Sequence, residues 1–413
     1  MFRVLGTTWP LLTGVMLMMV GNGIQGSLLG IRGAIEGFGT YEMSIVMSAY
    51  FLGFLGGSRL APEMIRRVGH VRVFAALGSM ISAVMVLYPV IPDVTAWTVM
   101  RVLIGFCFSG VYVTAESWLN NTATNDTRGQ ALSAYMIVQM IGIIASQALL
   151  NAGDPSGFLL FIIPSVLVSL AFTPILLSAT PAPVFDTTRP LSFRRLWEIS
   201  PLGCVGMFLT GGIYSAMFGM AAVWGTMVSL SVAQISIFVG AMYVGGLVLQ
   251  YPIGWVSDRV DRRQLILGLA ALGACVMMYA TVAEAGFYAL IVMSLALGGL
   301  VNPLYSLLIA YTNDFLNREE MAGASAGMIF INGLGAIAGP LVTGWMMETF
   351  GPGGFFLFIG ILMSLMAVYA AWRMTQRAAP AVADTGAFMP LAHTASALAV
   401  EAVMEHAEDV RRG

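Results

Sequence analysis

The sequence predicts an all-α membrane protein with twelve transmembrane helices in two pseudo-symmetric six-helix halves. Of its 413 residues, 58% are hydrophobic and only 10% are charged, whereas a soluble domain contains about 25% charged residues. Apolar runs close to the ~20 residues that span a bilayer recur along the whole chain. A segment of the first half also has a weak counterpart in the second half. Most of the chain must therefore lie in lipid.

Proline, glycine and charged residues divide the chain into twelve apolar runs. The first run follows Arg3 and lacks the small-residue cleavage site of a signal peptide, so we expect an uncleaved first membrane helix. The predicted spans are 9–31, 42–62, 71–90, 94–118, 130–150, 157–178, 201–223, 235–256, 264–283, 286–311, 322–347 and 353–373.

A polar, proline-containing stretch separates the two sets of six spans. We assign residues 1–178 to an N-terminal half, 179–200 to a cytoplasmic linker and 201–374 to a C-terminal half. Residues 375–413 are more polar, and we expect a flexible cytoplasmic tail. The end of the tail, ASALAVEAVMEHAEDV, fits either a short surface helix or disorder.

The arginines predict the orientation of the chain, which contains no lysine. Connections that follow even-numbered spans are rich in arginine, whereas those that follow odd-numbered spans carry only Arg32. Because cytoplasmic loops carry the excess of basic residues, both termini are predicted to be cytoplasmic. The arginines of the even connections are Arg66, Arg67, Arg72, Arg128, Arg189, Arg194, Arg195, Arg259, Arg262, Arg263 and Arg318.

An internal repeat relates the two halves. The segment AYFLGFLGGSRLAPEMIRRVGHVRVF, which begins at residue 49, aligns with AMYVGGLVLQYPIGWVSDRVDRRQLI, which begins at residue 241. The offset is 192 residues without a gap, and both segments join the second span of a half to the third. Two related six-helix halves are the architecture of many secondary transporters. The alignment places Gly53 on Gly245, Arg67 on Arg259 and His70 on Arg262.

Two motifs resemble those of the major facilitator superfamily. GWVSDRVDRR, at 254–263, resembles its loop signature, and RVLIG, at 101–105, resembles its helix 4 signature. The segments IRRVGHVR, ESWLNN, NAGDP and NGLGAIAGP resemble an uncharacterised bacterial branch that is often labelled YcaD-like. The resemblance covers about residues 9–375 and implies this superfamily's fold. We call residues 254–263 the second-half loop and the aligned residues 62–71 the first-half loop. The first-half loop departs from the superfamily pattern, because Pro62 replaces the glycine and no aspartate precedes Arg67.

Polar side chains inside the spans are the candidates for substrate binding, because such residues are costly in lipid and usually face a cavity. Spans 3, 6, 9 and 12 have no Asn, Gln or acidic residue in their apolar middles, so the other spans are expected to line a central path. A single tyrosine in a membrane helix is more often a packing residue. The candidates are Asn22, Gln25, Arg101, Tyr112, Gln139, Tyr214, Gln250, Asn302 and Asn332.

The fourth span carries a cation and an anion on one face. Helical spacing aligns Arg101 with Glu116 but separates them by about 22 Å, so they cannot pair. Arg101 either binds substrate, which the resemblance favours, or braces neighbouring helices from the interface. Glu116 is interpreted as a latch beside Arg66, Arg67 and His70. The alternative is a proton-carrying role, which strong pairing to arginine would oppose.

A set of charged residues is predicted to gate the cytoplasmic side. The positive-inside rule alone accounts for the arginines of the second-half loop but leaves its aspartates unexplained. Asp258 is expected to cap the fifth span near Arg128, and Arg259 or Arg262 to pair with Asp314. The full gate set is Arg66, Arg67, His70, Glu116, Arg128, Asp258, Arg259, Arg262 and Asp314.

The resemblance implies a secondary transporter of the bacterial cytoplasmic membrane that moves a small organic solute by alternating access. Lipid and the solute are the expected partners, with protons as an open alternative and a monomer as the expected state. Rival hypotheses are an uncoupled facilitator and a transporter-like sensor without flux. Neither an enzyme nor an ATP-driven pump is predicted, since no catalytic cluster or Walker motif occurs. No cofactor, metal site or nucleic-acid partner is predicted, and uptake and export both fit.

Overall fold

The computed structural model describes residues 2–122, 125–176, 191–283, 285–377, 385–396, 399–401 and 403. Every regular element within these ranges is helical. The helices are α1 (Phe2–Ile35), α2 (Thr40–Val68), α3 (His70–Leu87), α4 (Val94–Thr122), α5 (Asn125–Leu149), α6 (Leu159–Ala171), α7 (Thr173–Leu176), α8 (Phe193–Ile199), α9 (Pro201–Met227), α10 (Val232–Ser257), α11 (Arg262–Val282), α12 (Phe287–Asn313), α13 (Arg318–Phe350) and α14 (Gly353–Gln376), and a 3₁₀ turn covers Leu150–Ala152.

The twelve predicted membrane spans are confirmed. The described part of the chain contains 12 segments that are helical, long and apolar enough to cross a bilayer. The sequence placed the end of the second span at residue 62, but α2 continues to Val68. A helix satisfies its own backbone hydrogen bonds, so it can extend past the apolar window into charged residues. The predicted linker and tail lie partly outside the described residues.

The chain divides into two compact units. Unit 1 comprises Met1–Thr187, Phe218–Ile237 and Thr394–Ala399, and unit 2 comprises Thr188–Met217, Phe238–His393 and Val400–Gly413. In unit 1, α2 packs along α4, α1 packs against α5 and α6, and α3 packs against α4 and α6. In unit 2, α11 packs against α12 and α14, and α13 packs against α14.

Close helix contacts at glycine occur at matching places in the two units. In unit 1, a β-carbon at Gly53 or Gly105 would collide with the backbone of the facing helix, so α2 and α4 can approach closely only because both are glycine. In unit 2, Gly245 and Gly298 have the same relation between α10 and α12. Gly53 aligns with Gly245 in the sequence repeat, so the repeat extends from sequence to helix packing.

Candidate functional site

Three helices of unit 1 meet at a polar cluster centred on the half-buried Asn22. The amide nitrogen of Asn22 on α1 donates to the hydroxyl of Tyr112 on α4 at 2.8 Å. The amide oxygen of Asn22 accepts from Gln25 at 3.0 Å and from the hydroxyl of Tyr50 on α2 at 3.4 Å. The structure therefore brings together three of the predicted binding residues and adds Tyr50.

Arg101 extends this cluster with a positive charge. The residue is only 4% exposed, and its guanidinium carbon lies 4.7 Å from the centroid of the Tyr50 ring. One guanidinium nitrogen is 3.4 Å from the sulfur of Met47, whereas Nε has no hydrogen-bond partner among the described residues. None of the ion pairs found in those residues involves Arg101. A buried cation with unused donors can bind an anionic or polar group.

Glu116 lies on the same helix and is 1% exposed. Its carboxylate accepts from the hydroxyl of Tyr135 at 2.9 Å and from the backbone N–H of Ser396 at 2.7 Å. Both donors are neutral, and within the described residues Glu116 forms no ion pair. Gln139 is also buried, one turn beyond Tyr135 on α5.

The first-half loop separates its charged residues from its histidine. Arg66 and Arg67 both bind the exposed carboxylate of Glu63, at 2.8 and 2.6 Å. His70 is buried, and its Nε2 lies 3.0 Å from the hydroxyl of Ser117 on α4. The side chain of Arg128 lies outside the described residues, so the expected cap beside it stays a prediction.

The second-half loop contains a buried ion pair. Arg262 binds both carboxylate oxygens of Asp314 at 2.6 Å, and each side chain is 2% exposed. This is one of the two pairings that the sequence predicts. The other candidate, Arg259, instead lies 3.9 Å above the ring of Trp255 and donates to its backbone carbonyl. Asp261 begins α11 as its N-cap and binds Arg263 at 2.8 Å.

The predicted amides of unit 2 have different partners. Gln250 on α10 donates to the hydroxyl of Ser306 on α12 at 3.3 Å. Asn302 donates to the carbonyl of Gly298 in its own helix, and Asn332 on α13 donates to the carbonyl of Met207 on α9. Asn302 and Asn332 therefore satisfy backbone acceptors, while Gln250 belongs to a side-chain network.

Residues 385–393, which we call the docked segment, bind the second-half loop and this network. The backbone N–H groups of Gly386 and Phe388 donate to Asp314 at 3.1 Å and to Asp258 at 2.7 Å. Arg262 donates to the carbonyl of Gly386. Asp258, Arg262 and Asp314 of the predicted gate set thus all contact this segment of the tail.

The docked segment also reaches the middle of α12 and α9. The N–H of Leu391 donates to Ser306 at 2.9 Å. The imidazole of His393 stacks on Tyr214 of α9, with ring centroids 3.9 Å apart and planes inclined by 21°. The ring of Tyr305 on α12 lies 4.4 Å from the same imidazole. Tyr214, a predicted binding residue, therefore contacts the chain's own tail.

Tyr50, Ser306 and His393 are not among the predicted site residues. Tyr50 lies three residues before Gly53, on the face of α2 that meets α4, and this spacing is a signal that could have found it. His393 lies in the mostly apolar stretch FMPLAHTA, which is unusual for a flexible polar tail. We find no comparable signal for Ser306, since serine is common in membrane helices.

Twelve membrane-spanning helices, a repeated loop and buried polar clusters are the features of a membrane transport protein. Residues 202–404 match the sequence profile of the Major Facilitator Superfamily, and residues 32–172 match that of the "Sugar (and other) transporter" family. The chain belongs to the major facilitator superfamily. Members of this superfamily are generally transporters rather than enzymes, and the chain is a multi-pass membrane protein.

Similar curated proteins are described as uncharacterized MFS-type transporters. One from Yersinia pestis is 25% identical over 356 residues, which covers 84% of this chain and 91% of the relative. YcaD from Escherichia coli is 24% identical over 360 residues, with the same coverage. The resemblance to the YcaD-like branch is thereby confirmed.

Solved structures share the fold at low sequence identity. A crystal structure of a variant of the nucleoside transporter NupG superposes with a TM-score of 0.75 at 14% identity, covering 88% of this chain and 99% of that one. A D-xylose-proton symporter superposes with a TM-score of 0.66 at 15% identity, covering 87% and 95%. At these identities the similarity shows the fold alone.

Proposed function

We propose that the protein is a secondary transporter that moves a small organic solute across the bacterial cytoplasmic membrane by alternating access. Both termini would be cytoplasmic and the protein would act as a monomer. The family, the bacterial relatives and the transporter fold support this proposal. As part of the proposal, the remaining predicted binding residues line the substrate path and the remaining predicted gate residues close its cytoplasmic side.

The observation that carries the substrate proposal is the environment of Arg101. A buried guanidinium that lies over an aromatic ring, with an unused donor and no carboxylate partner among the described residues, can bind an acceptor supplied by a ligand. The neighbouring Asn22 cluster offers neutral hydrogen-bonding groups. We therefore propose a polar solute that is neutral, zwitterionic or weakly anionic.

Proton coupling is proposed on Glu116. Ionisable residues inside membrane spans are costly, and they mark substrate or proton pathways. Glu116 is buried and is bound by neutral donors rather than by arginine. A proton symporter also occurs among the proteins that share the fold. An uncoupled facilitator is the rival that this argument opposes.

A ligand screen on the purified protein tests the substrate proposal. A ligand that binds only the folded state raises its stability, by about 2.7 kcal/mol at a hundred times the dissociation constant. We expect a stabilising solute to lose its effect in Arg101→Gln. The matched control is Arg194→Gln, because Arg194 lies at the surface and forms an exposed pair with Glu198. A solute that stabilises both variants equally would remove Arg101 from the site.

Flux in proteoliposomes tests coupling. If the transporter is proton-coupled through Glu116, an imposed pH gradient drives uptake in the wild type but not in Glu116→Gln. Glu198→Gln, a surface change, should behave as wild type. Flux that ignores the gradient in every form would establish a facilitator, and ligand binding without flux would establish a sensor.

A further inference from the structure

The docked segment occupies groups that a ligand could otherwise bind. Ser306 accepts from the N–H of Leu391 and lies 3.3 Å from the carbonyl oxygen of the same residue. Gln250, a predicted binding residue, donates to that hydroxyl. The backbone N–H and carbonyl of Leu391 thus both contact the buried side-chain network that Gln250 of α10 and Ser306 of α12 form.

Phe388 is seated on the loop signature. Its ring lies against Gly254, where an added β-carbon would collide with the ring carbons. The backbone N–H of Phe388 donates to Asp258, which lies four residues after Gly254. The glycine and the aspartate of the superfamily-like motif are therefore both used to hold this segment.

His393 fills a slot between two phenol rings. Its imidazole lies 3.9 Å from the Tyr214 centroid and 4.4 Å from the Tyr305 centroid. Both imidazole nitrogens are buried and have no hydrogen-bond partner among the described residues. Burial lowers the pKa of His393 to about 3, so the bound ring is neutral at physiological pH. The slot holds the imidazole by its faces, which is how aromatic rings select planar partners.

We propose that Tyr214 and Tyr305 form a binding slot for an uncharged planar heteroaromatic ring, and that the docked segment is a tethered occupant which such a ligand must displace. This ring would be one part of the transported solute, so the role of the slot in transport rests on the proposed function. Binding to the slot does not require transport.

Competition by a tethered group is strong because the group cannot diffuse away. The segment is covalently joined to α14 through residues 377–384, and a tether of this kind gives effective concentrations on the order of millimolar. A free ring therefore meets a slot that is already occupied. The apparent affinity of the wild-type protein for a ligand is then lower than the intrinsic affinity of the slot.

Binding of 4-methylimidazole, which reproduces the histidine side chain as a free molecule, tests the slot in the full chain. The measurement is made at pH 8, where imidazole is mostly neutral. We expect His393→Ala to bind the probe at least tenfold more tightly than wild type. His393→Phe keeps a planar ring in the slot and should bind no better than wild type.

Two further measurements complete the test. Tyr214→Ala in the His393→Ala background should abolish probe binding, and the probe should accelerate amide exchange of residues 385–396 in the wild type. The proposal is overturned if His393→Ala does not bind the probe, or if adding Tyr214→Ala to that variant leaves probe binding intact. It is also overturned if amide exchange of residues 385–396 in the wild type stays unchanged at saturating probe. None of these readouts involves flux, so a failure of the transport proposal is seen separately.

Discussion

The two loops that align in the repeat differ in where they keep their charges. In the first-half loop, Arg66 and Arg67 pair with Glu63 at the surface, with 60% and 73% of the arginine side chains exposed. The buried position at this loop is His70, which meets Ser117. In the second-half loop the aligned residue is Arg262, which is buried on Asp314.

This difference shows that the repeat preserves the backbone and not the electrostatics. Gly53 and Gly245 make equivalent close helix contacts, yet a neutral hydrogen bond in unit 1 corresponds to a charged pair in unit 2. The charged pair of unit 2 also binds the docked segment, through Gly386. The two loops therefore contribute differently to stability and to tail binding.

The largest effect is expected from breaking the buried pair. Asp314→Ala removes the nearer of the two carboxylates that pair with the buried Arg262, at 2.6 Å, and leaves it with the more exposed Asp258 at 3.6 Å. Breaking a buried pair in this way costs about 3–5 kcal/mol. Denaturant unfolding in detergent measures the loss. Replacing both partners with apolar residues, as Arg262→Met with Asp314→Leu, should recover most of it. Equal stability of Asp314→Ala and wild type would show that the pair carries no net energy.

A pH change should weaken docking of the segment by about tenfold between pH 7.5 and pH 5.5. The pKa of His393 is about 3 when docked and about 6.5 when free. The docked state therefore binds fewer protons, so docking is fully favourable above pH 6.5 and weakens as pH falls below it. The groups that stack on the imidazole are the phenol rings of Tyr214 and Tyr305.

Amide exchange of residues 385–396, normalised to an unstructured peptide at each pH, measures this docking. The same experiment on His393→Phe supplies the control, because phenylalanine stacks but cannot be protonated. A pH response that persists in His393→Phe would assign the titration to another group.

Asp258→Asn separates two roles of the second-half loop. A hydrogen bond to a half-exposed carboxylate loses about 1 kcal/mol when the charge is removed, so exchange at Phe388 should rise about fivefold. A latch role for Asp258 predicts slower transport in this variant, whereas release of the tethered occupant predicts tighter ligand binding. Asp261→Asn is the control, since Asp261 binds Arg263 within the same loop.

The smallest effect is expected in the first-half loop. Ser117→Ala removes one neutral hydrogen bond from His70 and should lower the free energy of unfolding by about 1 kcal/mol. Arg66→Ala should cause no measurable change, because its pair with Glu63 is solvent-exposed. A loss in either variant as large as that of Asp314→Ala would contradict the proposed asymmetry.

The sequence located part of the candidate site. Helical spacing and the cost of polar groups in lipid selected Asn22, Gln25 and Tyr112, which the structure joins directly or through one shared partner. The same reasoning could not separate Asn332, whose amide binds a backbone carbonyl of α9. Whether an amide faces a path or a neighbouring helix depends on that neighbour, which spacing within one helix does not specify.

The twelve spans, the repeat and the superfamily could all be predicted from the sequence. These follow from local apolar length and from motifs within single loops, because a bilayer imposes its thickness on every helix independently. Two contacts became known from the folded structure. Arg262 rather than Arg259 reaches Asp314, and His393 of the tail lies between Tyr214 and Tyr305. The contact between Phe388 and Asp258 joins residues 130 positions apart. Such a contact depends on where the folded helices bring distant groups, which composition and periodicity do not record.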